Sequence, residues 1–205
     1  MPAKMLLSAL IVTPLFAQNG ATVAPASKDP APAYKFITPQ QRFVYFASKT
    51  AGPASLGQDA VSAAIQTWRN SPHEWRPTWE GFGKRMGSRV ARSGIGSGIE
   101  LGVSAMLKED PRFFRSHASG GGTRFRHAVA WTFLAHKPDG GTTPAIGRIA
   151  GKVGSSFIVN QWYPPSSNKT SDALSRIGTS FGFSAAFNIV KEFSPELRRP
   201  FKKKK

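Results

Sequence analysis

From Phe36 onward, apolar positions recur at three- and four-residue intervals, and no useful length of chain alternates with period two. That spacing predicts helices. Thr38-Pro39-Gln40-Gln41 opens the first, with Thr38 as N-cap, Pro39 at the first helical position and Gln41 at the capping-box position. It runs to about Ala51 and stops at Gly52-Pro53. A second helix over 55–68 places Leu56, Ala60, Ala64 and Trp68 near one face, and 70–76 forms a loop containing proline and tryptophan. A long third helix spans 78–109, after which Asp110-Pro111 restarts the chain as N-cap and first helical residue. A glycine-rich turn at 119–123 precedes a fourth helix over 124–136, and Asp139-Gly140-Gly141 makes the next loop. A fifth helix over 144–162 ends at Pro164-Pro165, and a sixth covers 171–193. The expectation is an all-α fold: a single compact bundle of about five to six helices without an internal repeat.

Glycine falls inside these helices at regular intervals. On a helical wheel Gly83, Gly87, Ala91, Gly94, Gly98 and Ala105 share one face of the third helix, and Arg85, Arg89 and Arg92 lie opposite. Gly147 and Gly151 repeat the four-residue spacing in the fifth helix, as do Gly178, Gly182 and Ala186 in the sixth. Each helical glycine costs about 1 kcal/mol relative to alanine, and close backbone approach between helices compensates. The glycine faces are therefore expected to be the packing faces, and a helix-mediated oligomer is a further use for them.

The amino-terminal region reads as an export signal. Lys4 precedes an apolar stretch at 5–16, and Ala17-Gln18 suits cleavage, although Pro14 and Leu15 depart from the ideal. The expected organisation is a signal peptide at 1–17, a flexible linker at 18–35, a helical domain at 36–195 and a basic tail at 196–205. The expected location is the periplasm, or the periphery of the envelope membranes. The charge-free stretch 177–190 falls short of the ~20 residues a span needs, and Glu100 interrupts 93–107.

Charge sharpens this picture. The chain carries 28 Lys and Arg against 11 Asp and Glu, a formal net charge of +17. Arg198, Arg199, Lys202, Lys203, Lys204 and Lys205 crowd the tail. Setting these and Lys4 aside leaves the rest at about +10. An anionic lipid or envelope polymer is the expected partner, met by the tail and by Arg85, Arg89 and Arg92. Arginine and phenylalanine also interleave at 112–115 and 124–126, a pattern able to stack on bases. Export disfavours nucleic acid. The chain has no cysteine, which excludes disulfides, thiolate chemistry and cysteine-ligated zinc.

Candidate chemistry is sparse. Gly94-Ile95-Gly96-Ser97-Gly98 lacks the preceding strand of a nucleotide loop, and Gly81-Phe82-Gly83-Lys84 lacks the spacing of a phosphate loop. His127 and His136 are nine residues apart on one expected helix, while His73 and His117 fall in expected loops, so no metal site or cofactor is expected. Glu109 and Asp110 stand beside Arg112 and Arg115, with His117 nearby. An acid/base pair is one reading, and an aspartate cap with ion-pairing arginines is the favoured one.

Four segments carry a resemblance. Gly81-Phe82-Gly83-Lys84-Arg85-Met86-Gly87, Glu109-Asp110-Pro111-Arg112-Phe113-Phe114-Arg115, Asn160-Gln161-Trp162-Tyr163-Pro164-Pro165 and residues 176–193 resemble, in order, an uncharacterised family of small exported bacterial helical proteins. The family commonly has tyrosine where this chain has Met86. The resemblance implies one exported helical domain and no catalytic residues. The leading expectation is a non-enzymatic envelope protein associating with an anionic surface. The alternatives are an envelope-directed hydrolase or transferase using Glu109 and Asp110, and a nucleic-acid-binding protein if the chain is not exported.

Overall fold

The computed structural model describes residues 34–198. The expected signal peptide, all but the last two residues of the expected linker, and Arg199, Lys202, Lys203, Lys204 and Lys205 lie outside the described residues, as does the side chain of Arg198. Six helices and a short hairpin follow one another: α1 (Pro39–Ala51), α2 (Pro53–Trp68), α3 (Trp79–Met106), α4 (Gly121–Ala130), β1 (Leu134–His136), β2 (Thr142–Pro144), α5 (Ile146–Ile158) and α6 (Thr170–Arg198). The fold is mostly helical, with α3 packed against α1, α2 and α5, and α6 against α4 and α5.

Local chemistry explains the starts. Thr38 accepts from the Gln41 N–H at 3.2 Å, and the Gln41 side chain accepts from the Thr38 N–H at 3.2 Å, closing the capping box. Gly52 ends α1 and begins α2, and a Cβ there would lie 2.2 Å from the Ser48 carbonyl oxygen, so the corner needs glycine. Thr78 caps α3 by accepting from the Gly81 N–H at 3.1 Å.

Four expectations fail. Asp110-Pro111 starts no helix. The Asp110 N–H donates to the His136 carbonyl at 2.8 Å and its carboxylate is taken by Arg112 and Tyr34, so 111–118 stays irregular. The fourth helix does not reach His136. Instead Leu134–His136 pairs antiparallel with Thr142–Pro144, because the chain reverses through Gly140 at φ +81° and the Asp139 carboxylate accepts from the Gly141 N–H. α5 is shorter than expected at both ends, and α6 runs past Phe193 through Pro195.

The fourth failure concerns the glycine faces. At Gly83, Gly87, Gly98, Gly178 and Gly182 an added Cβ would meet nothing within 4 Å, and at Gly94 it would make one ordinary contact at 3.6 Å with Thr50. These positions do not hold helices together. The close approach is made by α5. A Cβ at Gly151 would lie 2.5 Å from the Gly96 carbonyl oxygen, and one at Gly147 would lie 2.8 Å from the Ser104 backbone nitrogen. On α3 the glycine side faces outward and the arginine side inward.

The interior is correspondingly polar. Among the described residues eight apolar side chains are buried, five of them alanine, against fifteen polar or charged ones. Such groups need partners when removed from water. Fully buried Glu192 accepts from the Ser116 N–H at 3.0 Å and from Arg124 at 3.1 Å, tying α4 to α6. Arg148 donates to the carbonyls of Trp131, Thr132 and Pro111 at 2.8–3.0 Å, clamping the hairpin and the 111 segment onto α5.

Candidate functional site

Polar faces of α1, α2, α3, α5 and α6 converge on one cavity of about 640 Å³. On α3, Arg89, Arg92, Ser93, Gly96, Ser97 and Glu100 reach it with the spacing of a single helix face. On α5 the same periodicity brings in Arg148, Gly151, Lys152 and Ser155. α6 contributes Ser180, Phe183, Ser184, Phe187, Asn188 and Lys191, while Lys49 comes from α1 and Asp59 from α2. The contact of Gly151 with the Gly96 backbone lets the two helices meet at this cavity, and their neighbouring side chains line it.

The lining is cationic. Lys49, Arg89, Arg92, Arg148, Lys152 and Lys191 face two carboxylates, Asp59 and Glu100. Asp59 pairs with Arg89 at 3.2 Å. Glu100 pairs with Lys49 and lies 3.6 Å from the Arg148 Nε. Among the described residues the second Glu100 oxygen is buried without a hydrogen-bond partner, and neither carboxylate forms an ion pair with Arg92, Lys152 or Lys191. Arg92 makes no hydrogen bond or ion pair among the described residues, and burial pulls its pKa down. Lys152 donates to the Ser180 carbonyl and the Ser184 hydroxyl, both at 2.8 Å, and has no carboxylate partner. Burial, followed by the repulsion of Lys49, lowers the Lys152 pKa to about 7. Lys191 is drawn in the same direction, by desolvation and then by Lys49, although the residue as a whole is exposed.

The sign of the linkage follows. Unfolded Lys152 keeps its proton up to about pH 10.4, whereas the folded protein sheds it near 7. The unfolded state binds more protons in that window, so stability is expected to rise as pH climbs from 7 toward 10. Urea melts across that range check this, and a fall over the same interval would contradict it.

The residues singled out from sequence divide sharply. Arg85 is fully buried, so it is not part of an anion-binding surface. It donates to the carbonyls of Ser71, Arg76 and Pro72 at 3.0, 2.9 and 2.7 Å and lies over the Trp75 ring. Arg89 and Arg92 face the cavity instead of the exterior. Glu109 accepts from the Ile146 and Gly147 N–H groups at 3.0 Å, so it caps the start of α5. Asp110 is fully buried under two-pronged Arg112 and the Tyr34 hydroxyl. Burial acts to raise its pKa, but the hydrogen bonds from Arg112 and Tyr34 outweigh it and hold the group below the ordinary aspartate value. His117 is exposed. These carboxylates are occupied as structural acceptors, Glu109 by the α5 backbone and Asp110 by Arg112 and Tyr34. Among the described residues no group of three or more His, Asp or Glu side chains could hold a metal ion.

Sequence reasoning missed Lys49, Arg148, Lys152 and Lys191. A signal existed for two of them. Arg148 and Lys152 each follow directly on a packing glycine, Gly147 and Gly151, and so lie beside the contact face of α5.

The exterior inverts the usual pattern. Val61, Ile65 and Trp68 form one stripe of α2, and Phe183, Phe187 and Val190 one stripe of α6, and all six are exposed. The only charged side chain of α2, Asp59, is buried. Trp68 and Trp79 are each 85 % exposed, at the end where α2 finishes and α3 begins. Among the described residues no helix is long and apolar enough to cross a membrane.

Neither protein-family models, curated proteins nor solved structures yield a match to this chain, so the functional reading rests on its own geometry.

Proposed function

We propose that this is a non-enzymatic protein of the cell envelope that associates with an anionic membrane surface, its uncharged helix faces meeting the lipid. The observation that carries the reading is the exposed apolar surface on α1, α2 and α6 of a chain with net charge +17. Large apolar side chains left exposed in stripes along helix faces suit an apolar partner. Tryptophan and basic residues at the bundle end, Trp68, Arg69, Trp79 and Lys84, suit the boundary between headgroups and acyl chains. The excess positive charge favours anionic over neutral lipid. This replaces the expected basic face of α3, whose arginines point inward. A hydrolase reading through Glu109 and Asp110 loses support, because both carboxylates serve as structural acceptors.

Binding to vesicles containing phosphatidylglycerol is expected to weaken with salt but not vanish. Screening shortens from about 10 Å at 0.1 M to about 3 Å at 1 M, whereas apolar contact is insensitive to it. Replacing Trp68 and Trp79 together with serine is expected to remove most of the salt-resistant binding while leaving the melting temperature unchanged. Cosedimentation and thermal melts read both. Full release by salt alone, or undiminished binding of the double variant, would refute attachment through these faces.

A further inference from the structure

We propose that the cavity between α1, α2, α3, α5 and α6 is a binding site for a phosphate-type oxyanion carried on an organic body. The proposal stands on the cavity itself and does not require membrane association. Among the described residues three lining cations, Arg92, Lys152 and Lys191, form no ion pair with a carboxylate, while the two lining carboxylates pair with Arg89 (Asp59) and with Lys49 and Arg148 (Glu100). Cations gathered in a partly desolvated space repel one another, and the fields of Glu100 on Lys152 and of Asp59 on Arg92 offset this only in part, since both pKa values stay lowered. An anion would. Arginine and lysine beside serine hydroxyls supply the charge-assisted donors that a phosphate oxygen accepts from, and Ser93, Ser97 and Ser155 stand on the same helix faces as these cations.

The size of the cavity argues for more than a bare ion. About 640 Å³ lies in the range of small-molecule sites, which run from about 300 to 1,000 Å³. Phe113, Phe183 and Phe187 also line it, and Phe183 and Phe187 are at the same time exposed. The cavity thus joins the apolar stripe of α6 along one side. A ligand with an anionic head and an apolar remainder could place its head against Arg92 and Lys152 and its remainder along that stripe. A phospholipid headgroup and a soluble phosphoester share the required chemistry.

The test uses the purified chain and three probes: inorganic phosphate, dihexanoyl phosphatidic acid below its micellar concentration, and dihexanoyl phosphatidylcholine at the same concentration. Sodium chloride at matched ionic strength is the control for screening. Phosphate and phosphatidic acid are expected to raise the melting temperature above the chloride control, and phosphatidylcholine to do so least. Tighter binding of phosphatidic acid than of phosphate assigns the lipid source, and equal binding assigns the soluble one. Lys152→Met is expected to raise the melting temperature without ligand, because it removes a largely buried ammonium that has no ion-pair partner and is repelled by Lys49. Ser184 also donates to the Ser180 carbonyl at 3.0 Å in the parent, so that acceptor has a second donor when the ammonium is removed. The same variant is expected to weaken anion binding at least tenfold. A residue serving structure alone would not give these opposite responses. Arg92→Gln provides the second variant, with the same loss of affinity.

A pH arm adds an independent readout. Lys152 is faced by Lys49 of α1, Arg92 and Glu100 of α3, Arg148 of its own helix, and Ser180, Ser184 and Lys191 of α6. A fourth probe, sulfate, is the dianion of a strong acid and stays fully ionised from mildly acidic to mildly basic pH, so its affinity reports the protein alone. Affinity is expected to fall across that interval as Lys152 loses its proton, and to become flatter in Lys152→Met. No stabilisation by phosphate or phosphatidic acid beyond chloride, or variants binding both as tightly as the parent, would overturn the proposal.

Discussion

Leucine at Gly151 is expected to cost about 3 kcal/mol of stability or more, while leucine at Gly98 changes it by about 1 kcal/mol or less. Both glycines occupy helix interiors at four-residue spacings from another glycine, and sequence alone treats them alike. Their surroundings differ. A Cβ at Gly151 falls 2.5 Å from the Gly96 carbonyl oxygen and 3.1 Å from the Glu100 Cβ, so even the first added carbon meets backbone. Overpacking a core typically costs about 1–3 kcal/mol, and more when the obstacle cannot rotate aside. Here α5 would have to leave α3, opening its densest contact and disturbing Arg148 and Glu100. At Gly98 there is open space, and leucine gains helix propensity of up to about 0.8 kcal/mol over glycine. Urea and thermal melts of the two variants measure the difference. Equal shifts would show that α3 is turned the wrong way.

Arg85→Ala is expected to lower stability by about 3 kcal/mol. Hydrogen bonds to a charged group contribute about 1.5–3 kcal/mol each, with strong non-additivity. Arg85 makes three, to the carbonyls of Ser71, Pro72 and Arg76, and so fastens the whole connection between α2 and α3. The connection is pressed close to the helix. A Cβ at Gly81 would lie 1.9 Å from the Trp75 carbonyl oxygen. Deleting the guanidinium leaves three acceptors without their donor in a tight place. Arg85→Lys is expected to recover only part of the loss, since one ammonium cannot reproduce the planar fork. Increased protease cutting within 70–77 should accompany the drop in melting temperature. A variant that melts like the parent would remove Arg85 from its clamping role.

The two results bear on what the sequence made legible. Local signals were readable: Thr38, Pro39 and Gln41 start α1, Thr78 caps α3, and Gly52 breaks the chain between α1 and α2. Each is settled by atoms within four residues. The face assignments were not, because a helical wheel gives the angle between two stripes and not which stripe is inside. The ordinary rule, small and apolar inward and arginine outward, misplaced α3, where Arg85, Arg89 and Arg92 find Ser71, Asp59 and the cavity across long sequence separations. Asp110 failed for a related reason. As an N-cap it needed only its neighbours, yet Tyr34 and His136, both distant in sequence, claim it. The cavity combines contributions from five helices, none of which carries a motif on its own.

A core of arginine, glutamate, serine and alanine also shapes how stability varies with temperature. Exposing apolar surface on unfolding raises heat capacity by about 0.45 cal/mol/K per Å², and exposing polar surface lowers it by about 0.26. In this bundle many large apolar side chains are already exposed in the folded state, whereas much of what unfolding newly wets is polar. The heat-capacity increment should therefore fall well below the usual 12–15 cal/mol/K per residue. With a small increment the free-energy curve flattens. Scanning calorimetry would find an unfolding enthalpy that changes little with melting temperature, and a fold that loses little of its stability on cooling toward freezing.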